Sequence, residues 1–109
     1  MFDCRALPNP GRLTEYQHLT GQDDEVIKFF ESKPEVAQFL GATYSLVDQS
    51  IENYQQRNVT NLMVNFGCTG GQHRSVYVAR LLNDWLEERK WRVRLHHRDI
   101  HVGGGRDML

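Results

Sequence analysis

Two cysteines, Cys4 and Cys68, are all the thiols in this chain of 109 residues, and neither has a CxxC neighbour. That excludes a disulfide framework and makes a reduced, cytoplasmic setting the default expectation. No apolar run approaches the roughly 20 residues of a membrane span, and the first residues lack a basic-then-apolar signal pattern. There is no large charge excess of one sign: the net charge is −1 at pH 7, so the overall balance does not demand nucleic acid. The glycine-rich stretch around Gly67 has no Gly-Lys-Ser/Thr ending, so no Walker A nucleotide loop is present. His96, His97 and His101 have no cysteine or acidic residue at a ligand spacing. Neither a metal nor another cofactor is expected.

What is there is ordinary in amount and uneven in placement. The apolar fraction is 39 % and the charged fraction 25 %, as in a soluble globular domain. The length fits one domain, residues 1–109. Residues 1–67 carry five Lys/Arg against nine Asp/Glu, a charge of −4; residues 68–109 carry eight against five, a charge of +3. A polyanionic partner would prefer the C-terminal part.

One stretch organises the rest: Asn65-Phe66-Gly67-Cys68-Thr69-Gly70-Gly71-Gln72-His73-Arg74-Ser75. An apolar run, Val59 to Val64, precedes it. A helical pattern of Val76, Ala79, Leu82, Trp85 and Leu86 follows. A strand, a glycine turn and a helix start in one segment build anion sites, because helix N-termini carry unpaired N–H groups and the positive end of the macrodipole. Cys68, Thr69, Gly70, Gly71, Gln72, His73, Arg74 and Ser75 are therefore candidate ligand-binding residues. Cys68 and Arg74 also stand in a C-x5-R spacing, similar to the phosphate loop of cysteine-dependent phosphatases. Gly67 occupies the place where those enzymes usually have histidine. A tight glycine turn with no ligand is the plain structural alternative.

In chain order, Phe2, Cys4 and Ala6 alternate with Asp3 and Arg5, which predicts a short strand with one polar face. Asp3 and Arg5 point the same way; they either reach a pocket at the Cys68 loop or form a surface ion pair. Pro8-Asn9-Pro10-Gly11 ends the strand. Leu13 to Leu19 is ambiguous. Thr20-Gly21-Gln22-Asp23 fits a capping box with Thr20 as N-cap, opening a helix that buries Val26, Phe29 and Phe30. A longer helix starts near Pro34 with the stripe Val36, Phe39, Leu40, Tyr44, Val47, Ile51 and Tyr54, and ends at Arg57-Asn58. The apolar run from Val59 to Phe66 reads as a central strand covered on both faces.

The helix after the loop runs to about Lys90. Trp91, Val93 and Leu95 then alternate with Arg92, Arg94 and His96, a strand with one apolar and one basic face. Arg92, Arg94 and Arg98 are candidate RNA contacts, with a solvated strand face as the alternative; no aromatic platform accompanies them. The tail from about His101 contains Gly103-Gly104-Gly105 and is expected to be flexible. The unit from Val59 to Leu95 has the length of a right-handed parallel crossover. The expected fold is a small α/β three-layer sandwich, a mostly parallel sheet of at least three strands flanked by helices, with ligand beyond the strand carboxyl ends.

Phe2-Asp3-x-Arg5-x-Leu7-Pro8-Asn9-Pro10, then Leu19-Thr20-Gly21-x-Asp23, then Gly67-Cys68-Thr69-Gly70-Gly71-x-His73-Arg74-Ser75-Val76-Tyr77 carry a resemblance. In order and spacing the chain resembles the C-terminal domain of the RapZ (YvcJ-like) RNase adapter proteins, from Phe2 to about Arg98. In that family a P-loop nucleotide-binding domain precedes this one; it has no counterpart among these residues, so nucleotide hydrolysis is not carried over. The resemblance implies a sugar-phosphate-binding fold that senses glucosamine-6-phosphate. It also implies binding of small regulatory RNAs and their presentation to an endoribonuclease. It nominates Asp3, Arg5, Thr69, Gly70, Gly71, His73 and Arg74 for the ligand pocket. Gly11 stands where some members have histidine, and Gln72 where some have a basic residue. The tail lacks the lysine-rich ending associated with RNA contact.

The leading expectation is a non-enzymatic sensor. Amides of Thr69–His73 hold a phosphate, Arg74 and Arg5 pair its charge, and Asp3 accepts hydrogens from an amino sugar. The alternative is a phosphatase with Cys68 as nucleophile and Arg74 as phosphate clamp. Partners expected are a phosphorylated amino sugar or another small phosphate anion and a small regulatory RNA, with no membrane. Homo-oligomerisation is left open.

Overall fold

A computed structural model of the chain describes residues 1–68 and 72–97. Two short strands, β1 (Phe2–Asp3) and β2 (Phe66–Gly67), pair in parallel with Phe2 opposite Phe66 and Asp3 opposite Gly67. Three helices follow the chain: α1 (Asp24–Glu31), α2 (Pro34–Gln56) and α3 (Arg74–Glu88). Single 3-10 turns at Pro10–Arg12 and Thr14–Tyr16 join β1 to α1. The fold is thus a small mixed α/β domain of three helices and a two-stranded parallel sheet among the described residues.

The alternation at the N-terminus holds for four residues. Phe2 stacks on Phe66 at 5.4 Å between ring centroids, and Cys4 is fully buried beside them. Asp3 and Arg5 stand exposed on the other face. Ala6, expected inside, is exposed. The chain turns after Cys4, whose carbonyl accepts the Leu7 N–H at 3.1 Å, and Leu7 takes the buried place instead.

α1 begins one turn later than expected, with Asp23 as N-cap. The Thr20–Asp23 bonds still form. The Asp23 carboxylate accepts the Thr20 N–H at 2.7 Å, and Thr20 Oγ1 accepts the Gln22 N–H at 3.1 Å. They close a turn ahead of the helix rather than its first turn. Val26 and Phe30 are buried, Phe29 half-buried.

α2 starts at Pro34, as its missing N–H allows, and buries Val36, Leu40, Thr43 and Val47, a stripe at helical spacing. Tyr44 stacks on Trp85 of α3 at 4.7 Å, and the Arg89 guanidinium lies over the Trp85 ring at 4.2 Å while pairing with Asp48. This clamp fixes α3 against α2. Cys4, Leu7, Val26, Phe30, Val36, Leu40, Tyr77 and Val78 form one core cluster drawn from the segment just after β1 and from all three helices.

The wider sheet is not formed by the described residues. Only the last two residues of the Val59–Phe66 run pair as strand. Val59 and Leu62 are partly exposed, and Met63 is 81 % exposed, whereas a central strand covered on both faces was expected. Residues 91–97 likewise form no strand. The physical reason is the same in both places. Apolar alternation favours extended backbone, but a strand exists only where a partner edge supplies hydrogen bonds. Here β1 offers two paired residues plus the Phe2 N–H to the Asn65 carbonyl at 2.7 Å. Arg98 and the tail from His101 lie outside the described residues. None of the described helices is long and apolar enough to cross a membrane.

Candidate functional site

Because β1 and β2 are parallel, their carboxyl ends leave the sheet together, and both exits meet the start of α3. Cys68 follows β2 directly; Gln72, His73, Arg74 and Ser75 form the helix start. Thr69, Gly70 and Gly71, the expected amide cradle, lie outside the described residues.

Arg74 is 5 % exposed. Its Nη1 donates to the Arg5 carbonyl at 2.7 Å and the Leu7 carbonyl at 3.3 Å. No carboxylate pairs with it among the described residues. A buried guanidinium thus stands beside a helix N-terminus, its charge met by two neutral carbonyls. Burying a charge is costly unless it is paired, and two positive features together favour an anion.

His73 is buried, and its Nε2 donates to the Tyr16 carbonyl at 2.8 Å. That bond assigns the tautomer: a carbonyl can only accept, so Nε2 carries hydrogen. The Nδ1 edge faces Gly11, where an added Cβ would lie 3.4 Å from it. Gly11 therefore borders His73. Gln72 Nε2 donates to the carbonyls of Gln17 at 2.8 Å and Leu19 at 2.6 Å. Its amide hydrogens hold the loop before α1 against the helix start. The ambiguous segment Leu13 to Leu19 is thus the second wall of the site.

Cys68 engages Ser75 twice. The Ser75 N–H donates to Sγ at 3.4 Å, and the thiol donates to Ser75 Oγ at 3.3 Å. Sγ therefore meets an amide of the first turn of α3, and the side chain packs on the core cluster.

Asp3 and Arg5 take the ion-pair arrangement. Arg5 Nε and Nη2 reach Asp3 Oδ2 at 3.0 Å and 2.7 Å, fully at the surface. The Arg5 hydrogen bonds hold the Asp3 carboxyl down at about 2, and Arg74 adds a smaller pull in the same direction. The pair sits at the mouth of the strand ends.

The sequence reasoning missed Gly21. It is buried, its N–H donates to the Gln72 carbonyl at 3.0 Å, and a Cβ there would lie 2.5 Å from the His73 carbonyl oxygen and the Tyr77 nitrogen. Only glycine lets this backbone lie against the first turn of α3. The motif Leu19-Thr20-Gly21 was the available signal. Arg92 and Arg94 are exposed on the segment after α3. His96 is exposed and His97 half-buried. Among the described residues no three His, Cys, Asp or Glu side chains gather as metal ligands.

Fold and site together define a small α/β domain whose third helix starts at the carboxyl ends of two parallel strands. Residues 1–101 match the sequence profile of the RapZ C-terminal domain, and the chain belongs to that family. It is 41 % identical over 100 residues to a nucleotide-binding protein of Thermotoga sp. (strain RQ2), covering 92 % of this chain and 36 % of that protein. A nucleotide-binding protein of Staphylococcus carnosus (strain TM300) is 42 % identical over 106 residues, 96 % of this chain and 34 % of that one. One from Idiomarina loihiensis is 38 % identical over 104 residues, 95 % and 37 %. The chain spans about a third of the length of these curated relatives.

Proposed function

We propose that this domain is a non-enzymatic, cytoplasmic sensor that binds a phosphorylated amino sugar of the glucosamine-6-phosphate class at the start of α3. The observation that carries the reading is the buried Arg74 at a helix N-terminus, with no carboxylate partner among the described residues. In this reading amides between Thr69 and His73 cradle the phosphate, and Arg74 supplies its counter-charge. Asp3 and Arg5 exchange part of their mutual pairing for contacts to the sugar. Isothermal titration with glucosamine-6-phosphate, beside glucosamine and inorganic phosphate, tests it. Phosphosugar affinity well above both controls, lost in Arg74→Ala, supports the sensor. Equal or absent binding of all three removes it.

The proposal extends to RNA through Arg92, Arg94 and Arg98, in the adapter role that membership of the family suggests. Binding through them should fall steeply with salt; a flat response removes this part. The nucleotide-binding activity named for the longer relatives is not extended to these residues. A wider, three-layer sheet belongs to the same proposal, since further pairing along residues 59–65 would cover Val59, Leu62 and Met63. Amide exchange protection of that segment in the longer protein checks it.

The phosphatase alternative rests on Cys68 Sγ meeting a first-turn amide of α3. Against it, Cys68 packs toward the core, and no general acid is assignable among the described residues. Turnover of an aryl phosphate, abolished by Cys68→Ser, would reinstate it.

A further inference from the structure

The two thiols of this chain stand on adjacent strand exits, and nothing in the anion reading uses them as a pair. The register places Phe2 beside Phe66 and Asp3 beside Gly67. The Cys4 N–H continues the ladder to the Gly67 carbonyl at 2.7 Å. One further step sets Cys4 beside Cys68. Both lie on the face of the stacked Phe2 and Phe66 rings, since side chains two apart on a strand share a face. Cys4 belongs to the core cluster, and Cys68 packs against it. Paired strands run about 4.8 Å apart, inside the roughly 4.4–6.8 Å Cα separation that a disulfide spans.

We propose that Cys4 and Cys68 are a dithiol that closes to an intramolecular disulfide on meeting a small disulfide of the glutathione class, and that closure withdraws the Cys68 sulfur from Ser75. This inference stands on the strand register and not on the anion reading. The order of events follows from access. Cys4 is 0 % exposed, while Cys68 is half-buried, so Cys68 is the thiol a small disulfide reaches. Its thiolate attacks one sulfur of glutathione disulfide, forming a mixed disulfide and releasing one glutathione thiolate. The Cys4 thiolate then attacks Cys68 Sγ, the mixed bond breaks, and a second glutathione leaves. The two protein protons end on the two released glutathiones. Two electrons pass from the protein thiols to the glutathione disulfide. Burial first, and the Cys68 charge second, push the Cys4 thiol up to about 12, which makes the second attack the slower one.

Closure reaches the site because the same sulfur accepts the Ser75 N–H and donates to Ser75 Oγ. A sulfur drawn toward Cys4 leaves that amide of α3 open.

The test is equilibration of the 109-residue chain in a glutathione redox buffer, followed by acid quench, thiol alkylation, intact mass and a non-reducing peptide map. Both thiols should disappear together, with loss of two hydrogens and no retained glutathione. One linked peptide should join residues 4 and 68, reversed by dithiothreitol. Cys4→Val should trap glutathione on Cys68; Cys68→Ser should leave Cys4 unmodified in the folded protein. A stable glutathione adduct on the unmutated chain, independent oxidation of the two thiols, or a disulfide-linked dimer overturns the proposal, and each is read without any variant. Amide exchange at Ser75 checks the second half: it should quicken on closure, and unchanged protection removes the coupling to the site.

Discussion

The two ends of α3 are held by different means. Its C-terminus is closed by its own neighbours. Lys90 takes a left-handed φ of +71°, its N–H donates to the Glu87 carbonyl at 3.0 Å, and the Trp91 N–H donates to Leu86 at 3.1 Å. This is a Schellman closure, and α2 ends the same way through Asn58 at φ +58°. At the N-terminus of α3 the N-cap residue, His73, makes no side-chain cap bond, and the Ser75 N–H is met by Cys68 Sγ. Gln72, His73 and Arg74 instead reach carbonyls between Arg5 and Leu19, far back in the chain. One end closes its own backbone locally. The other is fixed at long range, and it is where the candidate site lies. Long-range anchoring makes the candidate site depend on a loop with little regular structure.

That dependence is most sharply broken at Gly21. A methyl group there meets two backbone atoms at 2.5 Å, and backbone cannot rotate away as a side chain can. Gly21→Ala should lower stability by about 3 kcal/mol or more, the upper range of overpacking, read from the urea midpoint. A midpoint within about 0.5 kcal/mol of the unmutated protein would mean that the loop is not pressed on α3. Gln72→Met keeps the length but removes both donors to Gln17 and Leu19. It should cost about 1–2 kcal/mol, with faster amide exchange over residues 16–21 and little change near Lys90. The opposite end should respond with the opposite sign. Lys90→Gly removes a left-handed penalty and should stabilise by about 1 kcal/mol. Gly41→Ala, in α2 with open space around the new methyl, should stabilise by about 0.5–1 kcal/mol. Neither should alter ligand binding.

The same contrast explains what could be read in the sequence. The helix stripes of Val26–Phe30 and Val36–Val47, the Pro34 start and the Asn58 stop are local patterns, and they stand where the spacing set them. The start of α3 near Arg74 was legible for the same reason. The role of Gly21, and the use of Gln72 and His73 as ties to Gln17, Leu19 and Tyr16, depend on which loop lies opposite. No periodicity encodes that. The strand reading of 59–65 and 91–97 is not shown among the described residues, for the complementary reason: the pattern states a preference for extended backbone, and pairing also needs a partner edge.

The smallest expected effect is at Asp3, and it tests whether the mouth of the site is as local as the C-terminus of α3. Asp3 and Arg5 are two residues apart and lie at the surface, so their pairing is screened and weak. The Arg5 hydrogen bonds lower the Asp3 carboxyl from 3.8 to about 2. A carboxyl depressed on folding stabilises the fold above its unfolded value and loses that contribution as pH falls through the folded one. The window is therefore from about 4 down to about 2. A carboxyl-carbon NMR titration should place the Asp3 transition near the bottom of that window. Arg5→Gln should return it toward 3.8 while the α3 amides stay unshifted, because Arg74 is held by the Arg5 backbone carbonyl and not by its side chain. Shifts spreading to His73 and Arg74 would show instead that the exposed pair and the buried arginine act as one electrostatic unit.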